Sequence, residues 1–321
     1  QNRFLFFERL FTGQQRQRDK IQELTQDKQF MTDQILQYDR TFGAKHNLTT
    51  LAGFNFTRQV NFNLRGTGQR STDDYTSTFS GDPPTTVING VQQPNFGLSS
   101  GYFETKTASL FGQVNYDYDG KYLLGASIRY DGFSSFAPNN RYALFPSVSA
   151  GWNIHRENFW QMPFINQFKI RSSYGQTGLS GLSYTDTYGG YGSAAYGGNG
   201  GIVRTTLANP NLLWETTETT DAGVDLRLFN RISLTVDVYN KLTKNRLDNL
   251  PLPAESGFNS IRYNVGKLRN RGVEVELGAT VLKKGSFAWN ANFAFAMNRM
   301  RVVELPGNGR DKNRIGGGVI Y

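Results

Sequence analysis

The sequence predicts an all-β protein, specifically a transmembrane antiparallel β-barrel, and three observations lead to that prediction. Apolar residues recur at every second position over unusually long stretches. Short and long connections between these stretches alternate along the chain. The composition is low in charged residues, at 19%, and rich in aromatic residues, at 14%. A typical soluble domain has about 25% charged residues, so this balance favours a wall that is only partly in contact with water.

Residues 271–300, RGVEVELGATVLKKGSFAWNANFAFAMNRM, show the alternation most clearly. Apolar side chains occupy alternate positions over 273–281 and again over 287–297, on either side of a tight turn at 283–285. Period two indicates β-strands, because successive side chains point to opposite faces. Globular strands average about 5–6 residues, whereas a tilted strand needs about 9–11 to cross a bilayer. The hairpin therefore predicts a sheet with lipid on one side and water on the other.

The same alternation, followed along the chain, predicts eleven strands. The connections between these strands are alternately short and long. Tight turns such as Asp119-Gly120 and 230–231 alternate with long polar connections such as 59–106 and 177–215. Outer-membrane barrels have short periplasmic turns and long extracellular loops. An odd number of strands leaves an open edge, which lipid does not tolerate, so we expect further strands outside this sequence. The predicted strands lie near 3–12, 28–40, 46–58, 107–118, 121–131, 143–154, 168–176, 216–229, 231–243, 268–282 and 286–300.

Alternation also assigns side chains to the two faces of the predicted wall. The polar positions are candidates for the lumen lining: Arg129, Asp131, Asp221, Asp225, Arg227, Asp237, Glu274 and Glu276. The apolar positions are candidates for lipid contact: Leu124, Ile128, Val148, Trp152, Val224, Leu226, Val236, Val275, Trp289 and Phe293. Aromatic residues beside the short turns, such as Tyr118, Tyr122 and Phe229, fit a girdle at the membrane interface.

The residues that carry enzyme chemistry are sparse. His46 and His155 are the only histidines, neither has a partner at metal-ligand spacing, and the absence of cysteine excludes thiolate sites. We therefore predict no catalytic residue, no cofactor and no metal site. The net charge of +9 comes from basic residues that are scattered rather than clustered, which argues against nucleic acid as a partner.

The segment at 183–201, SYTDTYGGYGSAAYGGNGG, is the strongest candidate for contact with a ligand or a partner. Its glycines predict a mobile external loop, and tyrosine rings offer flat amphipathic surfaces that stack on sugars or peptides. A loop with no ligand is the alternative. The candidate contacts are Tyr184, Tyr188, Tyr191 and Tyr196.

Several motifs resemble the SusC/RagA-like TonB-dependent outer-membrane transporters. They are RYDGFSSFAPNNRYALFPSVSAGWNI at 129–154, NPNLLWETTETTDAGVDLRLFNRISLTVDVYNKLTKNRL at 209–247, LPAESGF at 252–258 and NVGKLRNRGVEVEL at 264–277. The resemblance covers residues 105–305 well, and residues 1–104 fit as preceding barrel strands.

This resemblance implies a barrel of about 22 strands filled by an N-terminal plug. On that basis residues 1–321 are part of a single transmembrane β-barrel domain, about half of the barrel, and the plug and closing strands are absent from the sequence. The family lies in the outer membrane of Gram-negative bacteria, in contact with outer-membrane lipid. It imports large nutrients, oligosaccharides or peptides, with a SusD-like surface lipoprotein. TonB, ExbB and ExbD supply energy through the plug.

Two alternatives to an active importer remain open from the sequence. A passive porin, or a barrel scaffold of a surface secretion or motility assembly, keeps the wall without energy coupling. A soluble β-sandwich that acts as an adhesin or a glycan-binding domain keeps the strands without the membrane.

Overall fold

The computed structural model describes residues 2–9, 17–68, 85–88, 91–94, 98–196 and 199–305. Contacts divide the chain into two units. The first comprises residues 1–32, 56–106 and 193–203, and the second comprises residues 33–55, 107–192 and 204–321. Within the described residues, no helix is both long and apolar enough to cross a membrane.

An eleven-stranded sheet dominates the described residues. Its strands are β1 (Asn2–Arg9), β2 (Gln17–Phe42), β3 (His46–Gly68), β6 (Leu98–Tyr118), β7 (Tyr122–Phe133), β8 (Tyr142–Asn153), β9 (Ile165–Leu179), β12 (Glu215–Leu228), β13 (Ile232–Lys244), β16 (Lys267–Lys284) and β17 (Phe287–Glu304). They lie side by side in the order β1-β2-β3-β6-β7-β8-β9-β12-β13-β16-β17, and neighbours such as β7 and β8, or β12 and β13, pair antiparallel.

All eleven predicted strands are therefore confirmed, in the predicted order. Several are longer than predicted, most of all β2, whose predicted range of 28–40 covers only half of the observed Gln17–Phe42. The extra residues of β2, 17–27, are mostly polar and lack clear alternation, so hydrophobic periodicity did not reveal them.

The long connections hold ordered structure that the sequence reading missed. Among the described residues, these connections contain three short hairpins, one α-helix and two 3-10 helices: β4 (Thr85–Ile88) with β5 (Val91–Pro94), β10 (Gly190–Tyr196) with β11 (Asn199–Thr206), β14 (Leu247–Pro251) with β15 (Ser260–Asn264), α1 (Tyr184–Tyr188), and the 3-10 helices Pro138–Asn140 and Ala254–Ser256. Ser183 caps α1, and the Asp186 carboxylate accepts a hydrogen bond from the backbone N–H of Ser183 at 2.8 Å. The segment predicted as a mobile loop thus contains a capped helix and a hairpin.

The turn at Asp119-Gly120 lies where the sequence predicts it, whereas the turn predicted at 230–231 lies one residue earlier and the turn predicted at 283–285 begins only after Lys284, where β16 ends. Asp119 and Gly120 have φ of 56° and 61°, and Phe229 and Asn230 have φ of 54° and 52°. Two successive positive φ values suit the twist of the antiparallel strands that such turns join. The Asp117 carboxylate accepts a hydrogen bond from the Gly120 N–H at 2.6 Å, which holds the first of these turns.

The apolar core of the second unit lies at the long-connection ends of the strands, not within the sheet. Phe136 and Leu212 are almost fully buried, with exposures of 0% and 1%, and Leu182 and Leu247 complete the cluster. Trp214 stacks on Phe136 with ring centroids 4.9 Å apart. The motif residues at 129–154 and 209–214 therefore contribute an apolar core that packs the connections together.

Candidate lumenal face

Strand register places the predicted polar residues on one face of the sheet. Asp225 pairs with Thr235, which pairs with Glu276, and Asp237 pairs with Glu274. Alternation along β12 puts Asp221 and Arg227 on the face of Asp225. The same face continues across β9, β8 and β7. Asp221 pairs with Ser173 of β9, Ser173 pairs with Ser149 of β8, and Phe145 of β8 pairs with Arg129 of β7. Asp131 follows Arg129 by two residues and therefore lies on the same face. All eight candidates share this face, which we call the polar face; its assignment to a lumen stays a prediction.

The ten predicted lipid contacts share the opposite face. Val224 pairs with Val236, Val236 with Val275, and Val275 with Phe295. Several of these side chains are about half exposed, among them Leu124 at 54%, Val148 at 55% and Phe293 at 59%. A continuous row of exposed apolar side chains is unusual on a protein surrounded by water. The arrangement is that expected for a surface in contact with hydrocarbon.

The apolar band on this face ends well before the strands do. On β16 it runs from Val273 to Val281, eight steps of about 3.4 Å, or roughly 27 Å along a strand. Beyond it Arg271 donates from Nε to the Asn240 side-chain oxygen at 2.9 Å. Lys244 and Glu218 form an ion pair at 2.6 Å on the same face. A tilted band of this length approaches the apolar height of about 25 Å found on outer-membrane barrels.

An arginine that the sequence reading missed organises the centre of the polar face. Arg171 of β9 contacts three carboxylates: Asp237 at 2.7 Å, Asp225 at 3.2 Å and Asp221 at 3.5 Å. Gly223 of β12 lies between Arg171 and Asp237, and a Cβ there would lie 2.7 Å from the Arg171 Cζ. Glycine therefore gives the guanidinium room to reach across β12. The alternation of Lys169, Ile170 and Arg171 could have indicated this residue.

A second ion pair lies at the other side of the polar face. Arg129 donates from Nε to Asp131 at 2.7 Å and from Nη2 to the buried Ser109 hydroxyl at 2.8 Å. Its guanidinium also lies 5.4 Å from the centre of the Phe111 ring. The Arg171 network and the Arg129–Asp131 pair both hold charged side chains in place. The polar face therefore combines fixed charges with small polar groups.

The polar face also has a cleft of about 410 Å³, and Arg171 and Asp221 of the first network contribute to its lining. The small residues Gly125, Ser149 and Ser173 line it as well. These residues offer hydroxyl and charged groups to a polar solute.

The four candidate tyrosines have different environments. Tyr184 and Tyr188 of α1 stack with ring centroids 4.3 Å apart. The Tyr188 hydroxyl donates to the Phe136 carbonyl at 3.3 Å, whereas Tyr184 is 52% exposed. The Tyr191 hydroxyl accepts a hydrogen bond from Arg204 at 3.0 Å. The side chain of Tyr196 lies outside the described residues.

At the short-turn end, aromatic rings form a row on the apolar face. Tyr118, Tyr122 and Trp152 stack in sequence, with centroids 6.2 Å and 6.3 Å apart. Glu157 accepts hydrogen bonds from the Tyr122 hydroxyl at 2.6 Å and from the Trp152 indole at 3.0 Å, and Lys121 lies 3.3 Å away. The hydrogen bond from Tyr122 is the largest of the causes that lower the pKa of Glu157 below its ordinary value.

We expect the stabilising effect of Glu157 to depend on pH. Because its folded pKa lies below the ordinary value of 4.5, its contribution is complete above that value and is lost as pH falls through the lower folded pKa. Thermal unfolding in detergent should therefore give a Tm difference between wild type and Glu157→Gln that is largest near about pH 7 and shrinks below about pH 4. A difference that stays constant across this range would contradict the ionic role of Glu157.

Across the part of the chain that the structure describes, no group of three or more His, Cys, Asp or Glu side chains could hold a metal ion.

One family model and several curated proteins match this chain. A family model described as TonB dependent receptor-like, beta-barrel matches residues 2–318. The chain is 35% identical to TonB-dependent receptor P39 of Formosa agariphila over 289 residues, which are 86% of this chain and 26% of that protein. It is 31% identical to TonB-dependent receptor SusC of Bacteroides thetaiotaomicron over 210 residues, 62% of this chain and 21% of that protein.

A solved structure also matches this chain. The structure of the RagAB peptide importer in its closed-closed state matches with a TM-score of 0.75 and 25% identity, over 91% of this chain and 32% of that chain. The chain spans only about a quarter of the length of the curated relatives it matches.

Proposed function

The chain belongs to the TonB-dependent receptor-like β-barrel family, and from that premise we propose that it is part of the wall of an outer-membrane active importer. The membership is incompatible with the β-sandwich alternative. The cargo we propose is a large nutrient, an oligosaccharide or a peptide, and the location is the outer membrane of a Gram-negative bacterium. RagAB, one of the similar solved structures, is a peptide importer.

The observation that carries this proposal is the separation of the two faces. One face presents the Arg171 network and the Arg129–Asp131 pair, and the other presents a band of exposed apolar side chains. A wall of this kind separates hydrocarbon from an aqueous lumen. In this assignment the eight polar candidates line the lumen and the ten apolar candidates face lipid.

Energy coupling and substrate capture require partners beyond this wall. We propose that the whole protein has a plug that fills the lumen and transmits energy from TonB with ExbB and ExbD. A SusD-like surface lipoprotein would deliver cargo at the end of the long connections. These partners follow from family membership and from the resemblance to SusC.

Uptake measurements test active import directly. A strain that lacks the gene should lose growth on one polysaccharide or peptide of a panel, and the intact gene should restore that growth. Restoration should fail when TonB is also deleted, because closure of the lumen by the plug leaves no passive route. Growth that is independent of TonB would instead support the passive porin alternative.

We further propose that Tyr184 contacts the cargo or the lipoprotein. The Tyr188 hydroxyl donates to the Phe136 carbonyl, and Tyr188 holds the ring of Tyr184 by stacking, so an amphipathic ring face is presented at small entropic cost. Tyr191 is a weaker candidate, because its ring and hydroxyl already contact Arg204.

Substitution of Tyr184 should weaken uptake rather than assembly. In Tyr184→Ala we expect the half-saturating cargo concentration to rise by about 2- to 10-fold, which corresponds to about 0.5–1.5 kcal/mol of lost stacking. Tyr184→Phe is the matched control, because it retains the ring and should stay close to wild type. Equal uptake by the alanine variant and wild type would exclude this contact.

A further inference from the structure

A second cleft on the polar face is rich in cationic and amide side chains. It has a volume of about 300 Å³ and lies where β8, β9 and β12 reach the short turns. Arg156, Arg227 and His155 line it together with four amide side chains. Of the described residues, no carboxylate contributes to its lining.

The two carboxylates that lie within two residues of this lining in sequence have other cationic partners. Asp225 binds Arg171 at 3.2 Å, and Glu157 binds Lys121 at 3.3 Å. None of the ion pairs among the described residues involves Arg156 or Arg227. Two guanidinium groups therefore line one cleft without a counter-charge from the described chain.

The local structure keeps these guanidinium groups accessible. The Asn166 side-chain oxygen accepts a hydrogen bond from the backbone N–H of Asn230 at 2.6 Å, and the Asn153 amide donates to the Gly120 carbonyl at 2.7 Å. These bonds hold the turns that frame the cleft. Arg227 pairs across the sheet with Gln167, so both side chains point to the polar face. The guanidinium donors of Arg156 and Arg227 therefore face the same cleft.

We propose that this cleft binds a carboxylate side chain of an acidic segment of the same polypeptide, in the domain that fills the barrel. The inference rests on the proposed function, because it takes the polar face to be the lumen side. Planar guanidinium groups bind carboxylates in a bidentate manner. The net charge of +9 on this chain favours an acidic complement. The matched residues make up only 26% of the relative P39, so most of that polypeptide lies outside the matched part.

Photocrosslinking in the intact full-length protein tests this site. Gln167 is replaced by the photoreactive residue p-benzoylphenylalanine, the protein is irradiated in outer-membrane vesicles, and the crosslinked peptide is identified by mass spectrometry. We expect a peptide of the same polypeptide with an Asp or Glu at the site of attachment. In Arg156→Gln/Arg227→Gln the yield should fall about tenfold, since charge-assisted pairs hold the segment in place.

Arg231→Gln is the matched control. Arg231 lies at the same short-turn end but outside this cleft, so its neutralisation should leave the yield unchanged. Gel mobility of the folded barrel confirms assembly of each variant. An unchanged yield in the double variant, or attachment to a segment without an acidic residue, overturns the inference and leaves the proposed function standing. Attachment to lipid overturns both, because it places the polar face outside the lumen.

Discussion

Replacement of Val275 by arginine is expected to destabilise the membrane-inserted barrel by about 2–4 kcal/mol, the cost of a cation near the bilayer midplane. Val275 lies within the apolar band, between Val236 and Phe295 on the neighbouring strands. An arginine there has its Cα among apolar side chains, and placing its charge costs free energy even when the side chain bends toward the interface. Urea unfolding of the full-length protein in lipid vesicles measures the effect as a lower denaturation midpoint.

Glu276→Arg provides the matched control, because it introduces the same side chain one residue along the strand on the opposite face. Glu276 pairs with Thr235 and Ala294 on the polar face. A new arginine there stays in water, so the midpoint should remain within about 0.5 kcal/mol of wild type. If both arginine variants lose the same stability, the assignment of the two faces is wrong.

The sequence was sufficient to predict the strands and their faces because both follow from local alternation. Val275 and Glu276 fall on opposite faces whatever their neighbours are, and Asp119-Gly120 specifies a tight turn by its own backbone preferences. Eleven strands could therefore be predicted in order without knowledge of which strands pair.

Contacts between distant strands could not be predicted in this way. The Arg171 network depends on the register of three strands and on Gly223 lying between the arginine and Asp237. The local sequence does not specify that register. Arg156 and Arg227 likewise share a cleft only because two short turns lie side by side.

The segment at 183–201 shows a different limit. Its many glycines favour a flexible chain, yet α1 and the hairpin of β10 and β11 form there. Ser183 and Asp186 have the spacing of a capping box, a local signal that outweighs the composition. The packing of Tyr188 against the Phe136 carbonyl adds a tertiary contact that the composition could not indicate.

Truncation of Phe136 should have the largest effect of any single change in the long connections. Phe136 is fully buried, stacks on Trp214 and packs beside Leu212. Phe136→Ala removes a buried aromatic ring and leaves a cavity, which costs about 3–5 kcal/mol. The cluster is separate from the pairing of the sheet, so the loss should appear as local opening of the connections while the strands remain paired.

Hydrogen exchange and limited proteolysis of the intact protein can separate local from global loss. In Phe136→Ala, residues 180–214 should exchange and be cleaved much faster, whereas β12 and β13 should keep their protection. Phe159→Ala is the control, because Phe159 is 63% exposed and its loss leaves no cavity. The carbonyl that accepts the Tyr188 hydrogen bond is a backbone group of Phe136, so the local opening of this connection should displace it, release the tyrosine pair and weaken uptake as Tyr184→Ala does. Normal uptake despite open connections would show that cargo capture does not require this core, and it would refute the proposed role of Tyr184.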